Sequence, residues 1–395
     1  MTSSLSDLTS TLTSALSSLP PPEMIRDEER IQALEAIYQL QAALQTPIVA
    51  IQKYCFEHYG IVGIRVAQGM GIFDAFAASN GAEMTLAELS SKTKGDEKLL
   101  KRILRLLCSH TICKASSNDT YQPLPMVMML ANGSVAGDMI KHFHTNLQIS
   151  ASLFTYFEKN GYKNPEDAYD APFQLAYHTK DHYFDWLSKN PDTQRVFNSV
   201  MTEAQRHRGV DWFDIYPVSE KLAVSSDRVT LIDIGGGIGH DLKAFKKRFP
   251  ELPGQLILQE LPQVIEDIRE PLPEGISAVK HNMFEPQPIE GAKAYYMRTV
   301  LHDWPDKQAL EALIHIRKAM ASDSLLLINE HVMPDGPNVP LLSATLDLHM
   351  MELFSALERT EQEWTSLLER AGFQVVKVWR SPSDFRSALF EATLA

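Results

Sequence analysis

The fold class this sequence predicts is an open, doubly wound α/β sheet preceded by an all-helical module, and three observations carry the prediction. From Val229 onward, apolar β-rich runs alternate with helical patterns: Thr230–Ile234, Gln255–Glu260, Ser277–His281, Ala294–Arg298, Ser324–His331 and Phe373–Trp379. That alternation builds a parallel sheet with helices on both faces. The first run ends in Asp233, and Gly235, Gly236, Gly237 and Gly239 follow before the helical Asp241–Phe249. Strand, tight glycine loop and helix in that order bring a backbone against a bound cofactor. Before this domain, Arg30–His110 is helical in period, with no strand pattern until Thr111–Gln122.

Taken in order, residues 1–22 are rich in Ser, Thr, Leu and Pro and read as a flexible tail ending at Pro20–Pro22. They lack the basic stretch of a signal peptide and the arginines of a transit peptide. Residues 23–145 read as one helical unit. Ile31, Leu34, Ile37, Leu40 and Leu44 lie at helical spacing, and Pro47 breaks or kinks that helix. Val62–Ala78 continues the pattern with an interruption near Gly69 and Gly71, and Thr85-Leu-Ala-Glu88 is a capping box opening a short helix. Asp96–His110 is a further helix, and Thr111–Gln122 is a hairpin or wing turning at Asn118-Asp119. Three helices and a wing give the order of a winged-helix module, so DNA binding must be weighed. The third helix carries Lys98, Lys101, Arg102 and Arg105, but its crowd of leucines suits packing on more than one side. Self-association is the better use of such a surface. Residues 146–395 read as the catalytic domain, entered through an aromatic-rich connector at 146–217 that serves as a spacer or as the wall of a flat apolar pocket.

Composition narrows the function. The chain has 395 residues, 44% hydrophobic and 22% charged, with a net charge of −13 and a pI near 5.5. An acidic chain is a poor partner for nucleic acid or anionic membrane. No apolar run reaches the roughly 18 residues of a membrane span. Cys55, Cys108 and Cys113 are sparse and lack metal spacing, which fits a reducing, cytoplasmic location, and no metal is expected.

The acid before the glycines decides which cofactor suits the loop. A dinucleotide fold sets a pyrophosphate on the helix N-terminus, where a preceding carboxylate repels it. S-adenosylmethionine (SAM) carries a sulfonium, an ammonium and a ribose, and Asp233 favours such a ligand. Glu260 ends the next strand about twenty residues on, where an acid grips ribose hydroxyls. NAD remains the alternative at this point. Further along, the strand Ala294–Arg298 leads into His302-Asp303-Trp304, and Ser324–Glu330 ends in an acid. Ligands of open sheets sit beyond the carboxyl ends of the strands, so His302 and Glu330 converge there. Histidine suits proton removal near neutral pH, and a neighbouring carboxylate orients the ring.

Together, Asp233-Ile-Gly-Gly-Gly-Ile-Gly239, Glu260-Leu-Pro262, Asn282-Met-Phe284, Leu301-His-Asp-Trp304, Asn329-Glu330 and Glu358-Arg-Thr360 resemble the caffeate/flavonoid-type O-methyltransferases. Fungal secondary-metabolite members are nearest in pattern. The resemblance covers the chain from about Arg30 to its end. It implies a class I methyltransferase domain of Rossmann-like, doubly wound design, with an N-terminal winged-helix domain that builds a homodimer. It also implies His302 as general base, Glu330 and Glu358 as the acids bracketing it, and Asp303 as an adjacent substrate contact. Asp233, Gly235, Gly237 and Glu260 would form the SAM cradle, with Met283 and Phe284 along the adenine and Arg298 in place of a cofactor-contacting lysine. The chain departs from the family at Glu260, commonly Asp, and at Asn282, often an Asp facing the adenine amino group. The reaction implied is methyl transfer to a phenolic or enolic hydroxyl of a small aromatic or polyketide-type metabolite. Some relatives of this fold instead bind SAM without consuming it, as dehydratases or pericyclases, and for that chemistry His142 or His144 would face the pocket.

Overall fold

The structure is a computed structural model. It describes residues 4–21, 24–117, 119–206, 210–336, 339–381 and 384–395, without side chains at 27–28, 202–206 and 384–385.

The segment expected as a flexible tail is helical over Leu5–Ser18. Ser4 Oγ accepts from Asp7 N (3.1 Å) and the Asp7 carboxylate accepts from Ser4 N (3.0 Å), a capping box that composition alone conceals. The helix buries none of its residues. Residues 1–3, 22 and 23 of the expected segments lie outside the described residues.

Helices Asp27–Leu44 and Pro47–Phe56 follow, with Pro47 starting the second one at its first position rather than kinking the first. Helices Tyr59–Met70 and Ile72–Ala78 join at Gly71, whose φ of +85° only glycine adopts without strain. Leu86–Lys92 and Glu97–Ser109 complete a small core of Phe73, Phe76, Leu89, Leu100 and Leu104. Glu97–Ser109 buries Leu100, Leu104 and Leu107 in this core and sets Leu106 against Gly63, with Leu99 exposed and Lys101 paired with Asp119 of the wing. Three short strands, β1 (Met84–Thr85), β2 (Cys113–Ser117) and β3 (Thr120–Pro123), form an antiparallel sheet in the order β1-β3-β2. The turn between β2 and β3 includes Asn118, outside the described residues.

The N-terminal helices leave large apolar side chains in solvent: Ile31 is 67% exposed and Phe56 65%. No single described helix is long and apolar enough to cross a membrane. The expected border at 145/146 falls inside one continuous helix, Val135–Lys159, which packs against both halves of the chain.

The larger sheet has seven strands: β4 (Val229–Ile234), β5 (Gln255–Glu260), β6 (Ile276–Lys280), β7 (Ala294–Arg298), β8 (Leu325–His331), β9 (Phe373–Ser381) and β10 (Asp384–Leu394). Their spatial order is β6-β5-β4-β7-β8-β10-β9, with the first five parallel and β10 antiparallel to both neighbours. The sequence pattern missed β10, where Glu391 interrupts the apolar run. That carboxylate is buried between Lys221 Nζ and Trp379 Nε1, each 2.9 Å away. Period-two alternation sends Ile232, Ile234, Tyr295 and Met297 to one face, against Leu313 and Trp364. Leu231, Leu258 and Tyr296 go to the other face, against Trp212 and Phe245.

Candidate active site

The glycine loop leaves β4 at the reversal point of the sheet, where β5 lies on one side and β7 on the other. Gly235, Gly237 and Gly239 all have positive φ, +73°, +57° and +79°. A Cβ on Gly235 would meet Val300, and one on Gly236 would lie 2.5 Å from Asp233 Cγ and 2.6 Å from Leu258 Cδ1. A Cβ on Gly237 would meet nothing within 4 Å. Thus Gly236 seals the loop onto the protein, while Gly237 borders open space. Asp233 is buried beneath this loop, 1% exposed, directly against Gly236. Glu260 bridges the cradle from β5: Oε1 accepts from Gly237 N (3.2 Å) and Oε2 from Leu261 N (2.6 Å). Burial raises its pKa, and those two amide bonds oppose the rise. Spare lone pairs on both oxygens suit hydroxyl donors.

Asn282 Oδ1 accepts from Phe284 N (3.1 Å), so its carbonyl shapes the turn that presents Met283 and Phe284. Phe284 meets Trp304 edge-on at 4.5 Å. Arg298 is held by Asp241 at 3.2 and 3.3 Å, and Tyr296 donates to the same carboxylate at 2.7 Å. Asn329 Nδ2 in turn donates to Tyr296 Oη (3.1 Å). Asp241, Tyr296 and Asn329 were not foreseen as partners of Arg298. They join the first helix turn after the loop to β7 and β8 in one buried polar network.

His302 sits on a single 3-10 turn, Leu301–Asp303, after β7. Its Nδ1 bonds Glu358 Oε1 (3.1 Å), and its Nε2 lies 3.4 Å from Asp303 Oδ1. Glu330 does not bond the ring. Its Oε1 accepts from Val300 N (3.0 Å) and Leu301 N (2.8 Å), so it fixes the backbone that carries His302. Just upstream, Thr299 is held at φ +46°, a conformation that costs a β-branched residue of order 1–3 kcal/mol. Arg359, 1% exposed, holds the far side of the turn. It donates to Leu301 O (3.2 Å), Trp304 O (2.9 Å) and Asp306 Oδ1 (2.8 Å) while lying over the Trp364 ring. Glu358 N donates to Asp347 Oδ1 (2.9 Å). The signal for Arg359 was its place beside Glu358; nothing in sequence pointed to Asp347.

Burial alone would discharge His302. Asp303, the Glu358 hydrogen bond and Glu330 outweigh it and push the imidazole up to about 10. Burial raises Asp303 to about 6 and Glu330 to about 7, each partly offset by His302. The site is therefore a pocket of excess negative charge, suited to a cationic ligand. Among the described residues no cluster of His, Cys, Asp or Glu could hold a metal ion.

An aromatic wall adjoins this turn. His182 stacks on Trp304 (4.3 Å, 10° between planes), and Phe354 lies 5.7 Å from His182 and 5.2 Å from Phe184. His142 is buried and faces His349, whereas half-buried His144 lies near Arg65.

A glycine cradle at the switch point of a seven-stranded sheet, with a carboxylate, Glu260, on the neighbouring strand bonded into it, defines a SAM-dependent methyltransferase fold. An O-methyltransferase domain matches residues 160–374, and an O-methyltransferase dimerisation domain matches residues 53–131. The chain belongs to the O-methyltransferase family. It is 35% identical to demethylsterigmatocystin 6-O-methyltransferase of Aspergillus parasiticus over 315 residues, 79% of this chain and 80% of that one. Among solved structures it is similar to OxaC in complex with sinefungin and meleagrin, with a TM-score of 0.85, 26% identity, and 99% and 98% of the two chains covered. It is equally similar in shape to a pericyclic reaction enzyme, with a TM-score of 0.85, 25% identity, and 99% and 100% covered. The protein is a SAM-dependent O-methyltransferase.

Proposed function

We propose that His302 is the general base of this methyl transfer and that the acceptor is a phenolic or enolic hydroxyl of a small aromatic, polyketide-type secondary metabolite. The observation that supports it is the Glu358–His302–Asp303 alignment on a turn held by Glu330 and Arg359. Glu358 keeps the Nδ1 proton in place, so Nε2 receives the acceptor's proton beside Asp303. Glu358 then stabilises the imidazolium, and Glu330 keeps the turn from shifting as charge appears. Bound SAM supplies an electrophilic methyl group on a sulfonium. Carboxylates alone hold His302 protonated up to about 10, and an added positive charge in the site pushes that value down toward the working range of a base. Alignment of acceptor oxygen and methyl supplies most of the remaining acceleration.

For the cofactor we assign Gly235, Gly237 and Glu260 to the cradle, with Asp233 beneath it. Asn282, Met283 and Phe284 form the adenine side, and Arg298 is a positioning group fixed through Asp241. The dimerisation unit spans about 23–145 and shares helix Val135–Lys159 with the catalytic unit. The partner is a second copy of the chain, and the exposed apolar faces of Asp27–Leu44 and Pro47–Phe56 are the surfaces it covers. The free thiols Cys55, Cys108 and Cys113 fit a cytoplasmic enzyme.

Incubation with methyl-labelled SAM and a panel of phenols tests the assignment: S-adenosylhomocysteine and a labelled ether are the expected products. Conversion of an acceptor with no S-adenosylhomocysteine would replace it with the pericyclase or dehydratase reading, which the likeness to a pericyclic reaction enzyme keeps in view.

A further inference from the structure

A second histidine–glutamate pair repeats the geometry of the first. His349 Nδ1 bonds Glu352 Oε1 at 3.0 Å, as His302 Nδ1 bonds Glu358 Oε1 at 3.1 Å. The other oxygen of Glu352 accepts from Ser150 Oγ (2.7 Å), so the carboxylate is fixed on both sides, and it is buried. Across from it on helix Val135–Lys159, His142 and Asn146 are buried and bonded to each other (3.2 Å). His142, Asn146 and Ser150 recur every four residues, so they form one polar stripe facing helix Leu341–Phe354. Hydrogen bonds within the seam offset the cost of placing these polar groups in an apolar wall, and His349 Nε2 stands outside them.

The ring contacts connect this seam to the aromatic wall. From Trp304, two residues after His302, the rings run through His182 and Phe354 to Phe184, then Phe197 (6.0 Å), His142 (5.8 Å) and His349 (6.1 Å). Helix Leu341–Phe354 also carries Asp347, the acceptor for Glu358 N, so the helix that holds the second pair also anchors the backbone of the first. With Nδ1 spent on Glu352, His349 keeps Nε2 for a ligand. That atom has no partner among the described residues, and it is not among the buried unpaired atoms, so it opens onto accessible space.

We propose that His349 is a specificity-determining residue for the acceptor: its Nε2 takes a hydrogen bond from a second hydroxyl, not the one methylated at His302. The preferred acceptor class is accordingly a flat aromatic bearing at least two hydroxyl groups. With Glu352 Oε1 accepting at Nδ1, the ring offers Nε2 as an acceptor, which a hydroxyl can fill and a methoxy group or bare carbon cannot. The proposal rests on the methyltransferase reading of the site only for the position of the first hydroxyl.

Binding to the intact dimer saturated with S-adenosylhomocysteine tests it without turnover. The probes are 1-hydroxyxanthone and its 3-, 6- and 8-hydroxy derivatives, each beside its methoxy counterpart, titrated by calorimetry. In the wild type at least one dihydroxy probe binds roughly tenfold tighter than 1-hydroxyxanthone and than its own methoxy partner, the worth of one hydrogen bond. His349→Phe brings those affinities together, and Glu352→Gln reduces the gap. His349→Gln, which keeps an acceptor, retains part of it and serves where the Phe variant does not fold. His302→Ala loses turnover yet keeps the preference. A preference that survives in His349→Phe, or a wild type that binds no dihydroxy probe better than 1-hydroxyxanthone, overturns the proposal. If the preference is present but no probe is methylated, the base assignment of His302 fails and the role of His349 stands.

Discussion

Adjacent glycines of the cofactor loop should respond in opposite ways to substitution. At Gly237 an added Cβ meets no protein atom within 4 Å, so the cost to the fold is the left-handed backbone alone, φ +57°. For a non-glycine residue that is about 1–2 kcal/mol, somewhat more for a β-branched one. A domain with about 5–15 kcal/mol of stability survives it. The space that valine would fill is the cradle itself, and its backbone N–H is the one Glu260 holds. Gly237→Val should therefore stay folded and lose SAM binding. At Gly236 the fold pays instead, because even alanine would press on Asp233 and Leu258, both buried, and neither can retreat from the sheet. That overpacking costs at least about 1–3 kcal/mol and lowers the melting temperature more than the change at Gly237 does. Thermal melts and calorimetric titration with SAM measure both quantities on each variant. A folded Gly237→Val protein with unchanged SAM affinity would refute the reasoning.

Replacing His302 with alanine should slow single-turnover methyl transfer by about 10² to 10⁴ while SAM still binds; an undiminished rate would remove it from the mechanism. Glu330→Gln should be milder, within roughly tenfold in rate, because an amide oxygen can still accept from Val300 N and Leu301 N. SAM binding should release protons and tighten as pH rises between about 6.5 and 10. The ligand-free imidazole is held up to about 10, and a bound cation pushes its proton off. Titrations in buffers of different ionisation enthalpy read the proton count, and a pH-independent affinity would contradict the charge argument. Removing residues 1–22 should leave a dimer, whereas deletion through Gly60 should give insoluble protein; a soluble, active monomer from the longer deletion would count against the assigned interface.

The sequence by itself determined the sheet and the chemistry at its edge. Strand period, four clustered glycines and acids at strand ends are local signals, and each fixes a backbone event where it stands. Asp233, Glu260, His302 and Glu330 could be named because strand ends in an open α/β sheet converge by topology, whereas Glu358 came from the family resemblance. Roles that depend on a partner far along the chain were not legible. Glu330 and Glu358 look alike in sequence, yet one grips the backbone of the turn and the other the ring, a difference set by register between β7 and β8. Asp233 lies under the loop because Gly236 closes over it. β10 went unseen because a buried carboxylate hides its apolar run until Lys221 and Trp379 arrive to satisfy it. The His349–Glu352 pair is an ordinary helical spacing until helix Val135–Lys159 sets Ser150 against it. Local pattern fixes elements. Only packing decides which side chains meet, because burial, partner and charge are properties of the assembled core.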